Sequence, residues 1–114
     1  LYAYFPEIIA RQYERLRGAF SAHPTRFFYA CKALSNLAVL RTVRGLGAGL
    51  DCVSIGEVRL GLHAGFQPAD ILYTPNSVAF DEMLEAHALG VHLNIDNLSM
   101  LERFGARFGG SYPV

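Results

Sequence analysis

The chain repeats one unit four times: a short apolar run that reads as a strand, followed by a segment with helical periodicity. The strand starts fall at residues 27, 50, 71 and 92, so the spacings are 23, 21 and 21 residues. Phe27 to Cys31 is the first strand, after which Ser35 or Asn36 can cap a helix carrying Leu37, Leu40 and Val43 in register, with glycines 45, 47 and 49 ending it. The second unit is Leu50 to Val53, then a helix from about Gly56 to Ala64 stopped by Gly65. The third is Ile71 to Tyr73, then about Val78 to Leu89 stopped by Gly90. The fourth is His92 to Ile95, then Leu98 to about Arg107, with Leu98, Leu101 and Phe104 on one helix face. Ahead of them, Ile8, Ile9, Tyr13, Leu16 and Phe20 recur at threes and fours from Pro6 to Phe20, which predicts an amphipathic helix opened by proline.

Short apolar strands alternating with helices predict parallel pairing, because a parallel crossover needs a long connection and a parallel sheet is covered by its helices. A doubly wound sheet and a barrel both satisfy this pattern. A leucine-rich solenoid has a similar period but needs a leucine-and-asparagine consensus that these units lack. Four units are half of an eight-stranded (β/α)8 TIM barrel, so the expected fold is α/β, a partial barrel of about the first four βα units with outer helices. At 114 residues with 52% hydrophobic content, one folding unit is expected, with open strand edges if it stands alone. Leu1 is not an initiator methionine, and a new apolar run opens at Tyr112-Pro113-Val114, so both ends are expected to be cuts through a longer protein.

Ten basic residues balance ten acidic ones, and no basic stripe interleaves with aromatics, so neither nucleic acid nor an anionic membrane surface is an expected partner. No apolar stretch approaches the roughly 20 residues of a membrane span. The two cysteines, 21 positions apart, each lie inside an apolar run and read as buried thiols, with no metal site expected from them. A reducing, cytoplasmic setting and a small-molecule ligand follow as expectations.

Of the ten basic residues nine are arginine, which leaves Lys32 as the sole lysine. It sits in the apolar stretch Tyr29-Ala30-Cys31-Lys32-Ala33-Leu34, at the carboxyl end of the first strand, where a barrel builds its active site. A primary amine can condense with an aldehyde and a guanidinium cannot; desolvation at such a place favours the neutral amine that this chemistry requires. The competing reading is a lysine that snorkels at a strand end. Asp51, inside a predicted strand, needs a partner for its carboxylate and reads as a site residue. Glu57 completes Ser54-Ile55-Gly56-Glu57, a capping box, and that reading outweighs a site role. Asn76, after the third strand, is equally a ligand contact or a helix-start residue. His92, Asn94 and Asp96 share one strand face, yet Asp96 can cap the next helix and His92 can lie at the barrel bottom; His63 and His87 fall on helices as surface or packing residues.

Taken together, Phe27 to Lys32, Asn36-Leu37-Ala38-Val39-Leu40, Gly49 to Ser54 with Glu57, Ala64-Gly65-Phe66 before Pro68, and Asn94-Ile95-Asp96-Asn97 before Leu101-Glu102 resemble the region around the cofactor lysine in the ornithine, diaminopimelate and arginine decarboxylase family. The likeness is greatest to the diaminopimelate branch. The resemblance implies pyridoxal 5'-phosphate as cofactor, Lys32 as its attachment point, and Asp51, Glu57 and Asn76 near it. It also implies residues 1–4 as a connection from a β domain and residues 5–114 as the first half of the cofactor-binding barrel. For the parent protein it implies a cytoplasmic homodimer decarboxylating an amino acid, meso-diaminopimelate to L-lysine, with the chain alone inactive. Ornithine, arginine or a polyamine precursor is the alternative substrate, and a cofactor-homeostasis protein without turnover is the alternative class. The family more often has asparagine where this chain has Leu34. The phosphate-holding loops, the ring-stacking histidine and the catalytic cysteine region of such enzymes would lie beyond Val114.

Overall fold

The computed structural model describes residues 1–111; the run opening at Tyr112 to Val114 lies outside the described residues. Helix α1 (Pro6–Ala19) starts on a proline that follows an extended Phe5, and it lies on α2 (Leu37–Gly45) through Ile9 and Tyr13, which pack against Val39, Val43 and Ala48. Of the two cap candidates for α2, Asn36 is the one used: its side-chain oxygen accepts from the amides of Ala38 at 2.9 Å and Val39 at 3.3 Å. Strand β1 (Phe28–Ala30) is followed by a 3₁₀ turn, Cys31–Ala33, so the strand ends two residues before Lys32.

Strand β2 (Gly49–Cys52) begins one residue ahead of the apolar run. A Cβ at Gly49 would stand 2.6 Å from the Phe28 ring and 2.9 Å from the Asp70 carbonyl, so the close approach of β1 and the turn before β3 requires glycine there. Helix α3 (Ile55–Ala64) is capped by Ser54 and ended by Gly65 at φ 98°, a left-handed stop as expected. Strand β3 (Ile71–Tyr73) matches its expected span, but α4 (Phe80–Ala88) starts two residues later than Val78. The delay has a local cause: Pro75 disfavours helix at Thr74, Ser77 takes a positive φ of 56°, and Ala79 is still extended. Strand β4 (His92–Leu93) is shorter than expected, although the Asn94 amide donates to the Tyr73 carbonyl at 2.9 Å and carries the ladder one bond further. Helix α5 (Leu98–Phe108) closes the fourth unit.

All three strand pairs are parallel and the sheet order is β1-β2-β3-β4. A doubly wound sheet would reverse direction at a switch point, whereas sequential order is the order of barrel strands. Leu50, Cys52, Ile71, Tyr73 and Leu93 point to the helices and join Leu40, Val58, Met83 and Phe104 in the main core. Alternation turns Ala30, Asp51, Leu72 and His92 to the other face as one cross-strand row, half-buried or exposed and with no helix over it among the described residues. One covered face and one concave face carrying the row is the arrangement of the front half of a barrel.

Candidate functional site

The carboxyl ends of β1, β2 and β3 form a rim, and the residues there are held by short, specific ties. Lys32 occupies the middle of the Cys31–Ala33 turn. The Leu34 amide donates to the Cys31 carbonyl at 3.1 Å, and the Tyr29 hydroxyl donates to the Leu34 carbonyl at 3.2 Å, so the turn is closed from both sides. The Tyr29 phenol is pushed above its usual value, first by burial and then by the neighbouring Cys31 and Tyr4, so it remains a donor. Lys32 itself is exposed. The desolvation expected at this position is therefore not supplied by the described residues, because the concave face above the turn is open.

Asp51 is half-buried on β2, in register with Ala30, two residues before Lys32. Its Oδ1 accepts from the Thr74 hydroxyl at 2.6 Å, and Asp51 makes no other side-chain hydrogen bond among the described residues. The partner that a buried-strand carboxylate demands is thus Thr74, which the sequence reading passed over. Its signal was present but weak: a hydroxyl residue immediately after β3, one step beyond a register that only strand pairing reveals.

Glu57 does cap, with a difference. The Ser54 hydroxyl accepts from the Glu57 amide at 3.2 Å, as in a capping box, but the Glu57 carboxylate accepts from the Val53 amide at 2.8 Å, one residue further back than the cap residue. Glu57 thereby fixes the loop that leaves β2. Behind this loop, Cys31 and Cys52 are free, both 0% exposed, and part of the same buried cluster. Burial pushes the Cys31 thiol up to about 11, with the negative charge of Glu57 adding to it; Cys52 is raised further, again chiefly by burial. These are the buried thiols expected, turned to the helices while Lys32 and Asp51 stand on the rim.

The other candidates separate. Asn76 is exposed on the loop after β3, where its side-chain oxygen accepts from the Ser77 hydroxyl at 3.0 Å; it caps nothing, since α4 begins after Ala79. Asn97, and not Asp96, caps α5 by accepting from the Met100 amide at 2.8 Å, and Asp96 accepts from Asn97. His92 is exposed at the start of β4, in the same cross-strand row as Asp51. His87 stacks on Phe108 with ring centroids 4.0 Å apart, a packing role, and His63 is exposed on α3.

What the rim offers chemically is a primary amine on the turn after β1 and, on the neighbouring strand β2, one carboxylate whose second oxygen is uncommitted among the described residues. That donor set fits pyridoxal phosphate, since an amine can condense with an aldehyde and a carboxylate can pair with a cationic nitrogen.

Comparison with known proteins agrees with this chemistry. The sequence pattern described as "Pyridoxal-dependent decarboxylase, pyridoxal binding domain" matches residues 7–110. Diaminopimelate decarboxylase of Methanothermobacter thermautotrophicus is 50% identical over 97 residues, covering 83% of this chain and 23% of that protein. The crystal structure of diaminopimelate decarboxylase from Helicobacter pylori complexed with L-lysine superposes with a TM-score of 0.82 at 31% identity, over 93% of this chain and 28% of that one. Ornithine decarboxylase from Entamoeba histolytica superposes with a TM-score of 0.81 at 25% identity, over 89% of this chain and 31% of that one. The chain thus spans about a quarter of the length of the relatives it matches.

Proposed function

This chain belongs to the pyridoxal-dependent decarboxylase family, within its pyridoxal-binding domain, and on that premise we propose that the full-length protein decarboxylates meso-diaminopimelate to L-lysine. Lys32 carries the proposal: it is the sole lysine in the chain, and two hydrogen bonds close the turn that holds it at the end of β1, next to the strand that carries Asp51. When bound, pyridoxal phosphate supplies the electron sink that accepts the pair left behind as carbon dioxide departs. Lys32 would hold the cofactor covalently and, as a free amine, would be placed to hold or pass a proton. Asp51 would present a negative charge to the cofactor's cationic nitrogen. Glu57 keeps the β2 loop in place from behind, and Asn76 stands on the same rim within reach of a ligand on the concave face. The remaining strands close the edges at β1 and β4 and give Lys32 the dry surroundings it lacks here, so the chain alone does not turn over substrate. A cytoplasmic homodimer is part of the same proposal.

Two measurements test it. Borohydride reduction of the cofactor-loaded full-length protein, followed by peptide mapping, should place the pyridoxyl mass on Lys32; finding it on another lysine removes the assignment. Offered meso-diaminopimelate, ornithine and arginine in competition, the protein should show the highest kcat/KM for the first, because a pocket built for a distal amino-acid group leaves polar partners unpaired with a simple diamine precursor. A preference for ornithine or arginine would move the protein to those decarboxylases and leave Lys32 untouched.

A further inference from the structure

We propose that Thr74 is a positioning residue of the cofactor site, fixing the Asp51 carboxylate so that Oδ1 is taken by the residue after β3 and Oδ2 is left for the cofactor. The inference rests on the reading of Asp51 as a cofactor contact. The terminal torsion of an aspartate is broad and roughly two-fold, so a half-buried carboxylate with no hydrogen bond would turn freely on its own side chain. The Thr74 hydroxyl donates to Oδ1 at 2.6 Å, a short charge-assisted bond, and bridges neighbouring strands across 23 residues of sequence.

The donor is itself held in three ways. Pro75 restricts the Thr74 backbone to extended conformations, the Thr74 amide donates to the Cys52 carbonyl at 2.8 Å, and a β-branched side chain has few χ1 states. Thr74 is therefore anchored to β2 through the residue that follows Asp51 while its hydroxyl holds Asp51. That is a preorganised donor, and valine would keep its shape while losing the hydroxyl.

The test uses the full-length protein with Thr74→Val, Thr74→Ser, Asp51→Asn and the Thr74→Val/Asp51→Asn double variant. Two quantities are read: the pyridoxal phosphate dissociation constant, from titration of the apoprotein, and the pH midpoint of the bound cofactor's visible absorbance. Thr74→Val should weaken cofactor binding by on the order of tenfold and move the midpoint in the same direction as Asp51→Asn. Thr74→Ser should restore both, and Thr74→Val should add nothing once Asp51 is asparagine. If Asp51→Asn shifts both quantities and Thr74→Val shifts neither, the role of Thr74 is wrong and the reading of Asp51 stands. If Asp51→Asn shifts neither, the reading of Asp51 fails and takes the proposal with it. Equal losses in Thr74→Ser and Thr74→Val also overturn it, since serine keeps the hydroxyl. Thr74→Ala serves the same comparison should the valine variant not fold.

Discussion

Replacing Gly61 with alanine tests how tightly α3 is seated on the strand that carries Asp51. In a helix interior this change ordinarily stabilises by about 1 kcal/mol. Here the added Cβ would stand 2.5 Å from Leu50 Cδ2 and 3.3 Å from Ile71 Cδ1. Both neighbours are 0% exposed, so neither can swing into solvent, and overpacking of this kind costs about 1–3 kcal/mol. The steric cost exceeds the helical gain, and Gly61→Ala should destabilise the full-length, cofactor-saturated protein by roughly 1 kcal/mol. Gly105, inside α5 with nothing within 4 Å of its hypothetical Cβ, should respond oppositely and gain up to about 1 kcal/mol. Urea denaturation reads both through the midpoint at constant slope. A second substitution isolates the cause: Leu50→Ala alone should cost about 2–5 kcal/mol, but it removes the methyl group at 2.5 Å, so in that background Gly61→Ala should become neutral or stabilising. An unchanged midpoint for Gly61→Ala, or the same loss in both backgrounds, would refute the argument from contact.

Glu57→Gln keeps an acceptor for the Val53 amide and should cost under about 1 kcal/mol with turnover largely kept, whereas Glu57→Ala strands a half-buried amide and should cost about 1–3 kcal/mol. Loss of turnover in Glu57→Gln at unchanged stability would show that the carboxylate does more than cap. The thiols Cys31 and Cys52, raised chiefly by burial, should resist alkylation at pH 8 in the folded protein and react promptly in denaturant; fast labelling of the native state would contradict their placement. With Cys31 lifted from 9.0 to about 11 and Tyr73 from 10.0 to about 12, the folded state keeps protons that the unfolded chain releases. The associated stability is therefore complete below about pH 9 and is lost as pH rises towards 11 and 12, which denaturation series at pH 8 and 10.5 can check.

Much of the fold was legible because its signals are local. A strand needs a short apolar run, a helix its 3.6-residue period, and a stop such as Gly65 or Gly90 a left-handed residue, all within a few positions of one another. The same locality explains the misses. Phe80 starts α4 late because Pro75 and Ser77 govern the intervening backbone, and Asn97 displaces Asp96 as the α5 cap because cap geometry depends on which residue is extended and which is already helical.

Local pattern is enough to show four βα units in series, a single lysine at the end of the first strand, and an Asp51 that needs a partner. Tertiary structure alone decided that the strands lie in the order 1-2-3-4, that Asp51 shares a row with Ala30, Leu72 and His92, and that Thr74 supplies the missing hydrogen bond. Periodicity says which face a side chain takes along its own strand. Register between strands 21 residues apart is set by how their helices pack, by contacts such as Gly61 on Leu50 and Ile71, and no local pattern encodes it.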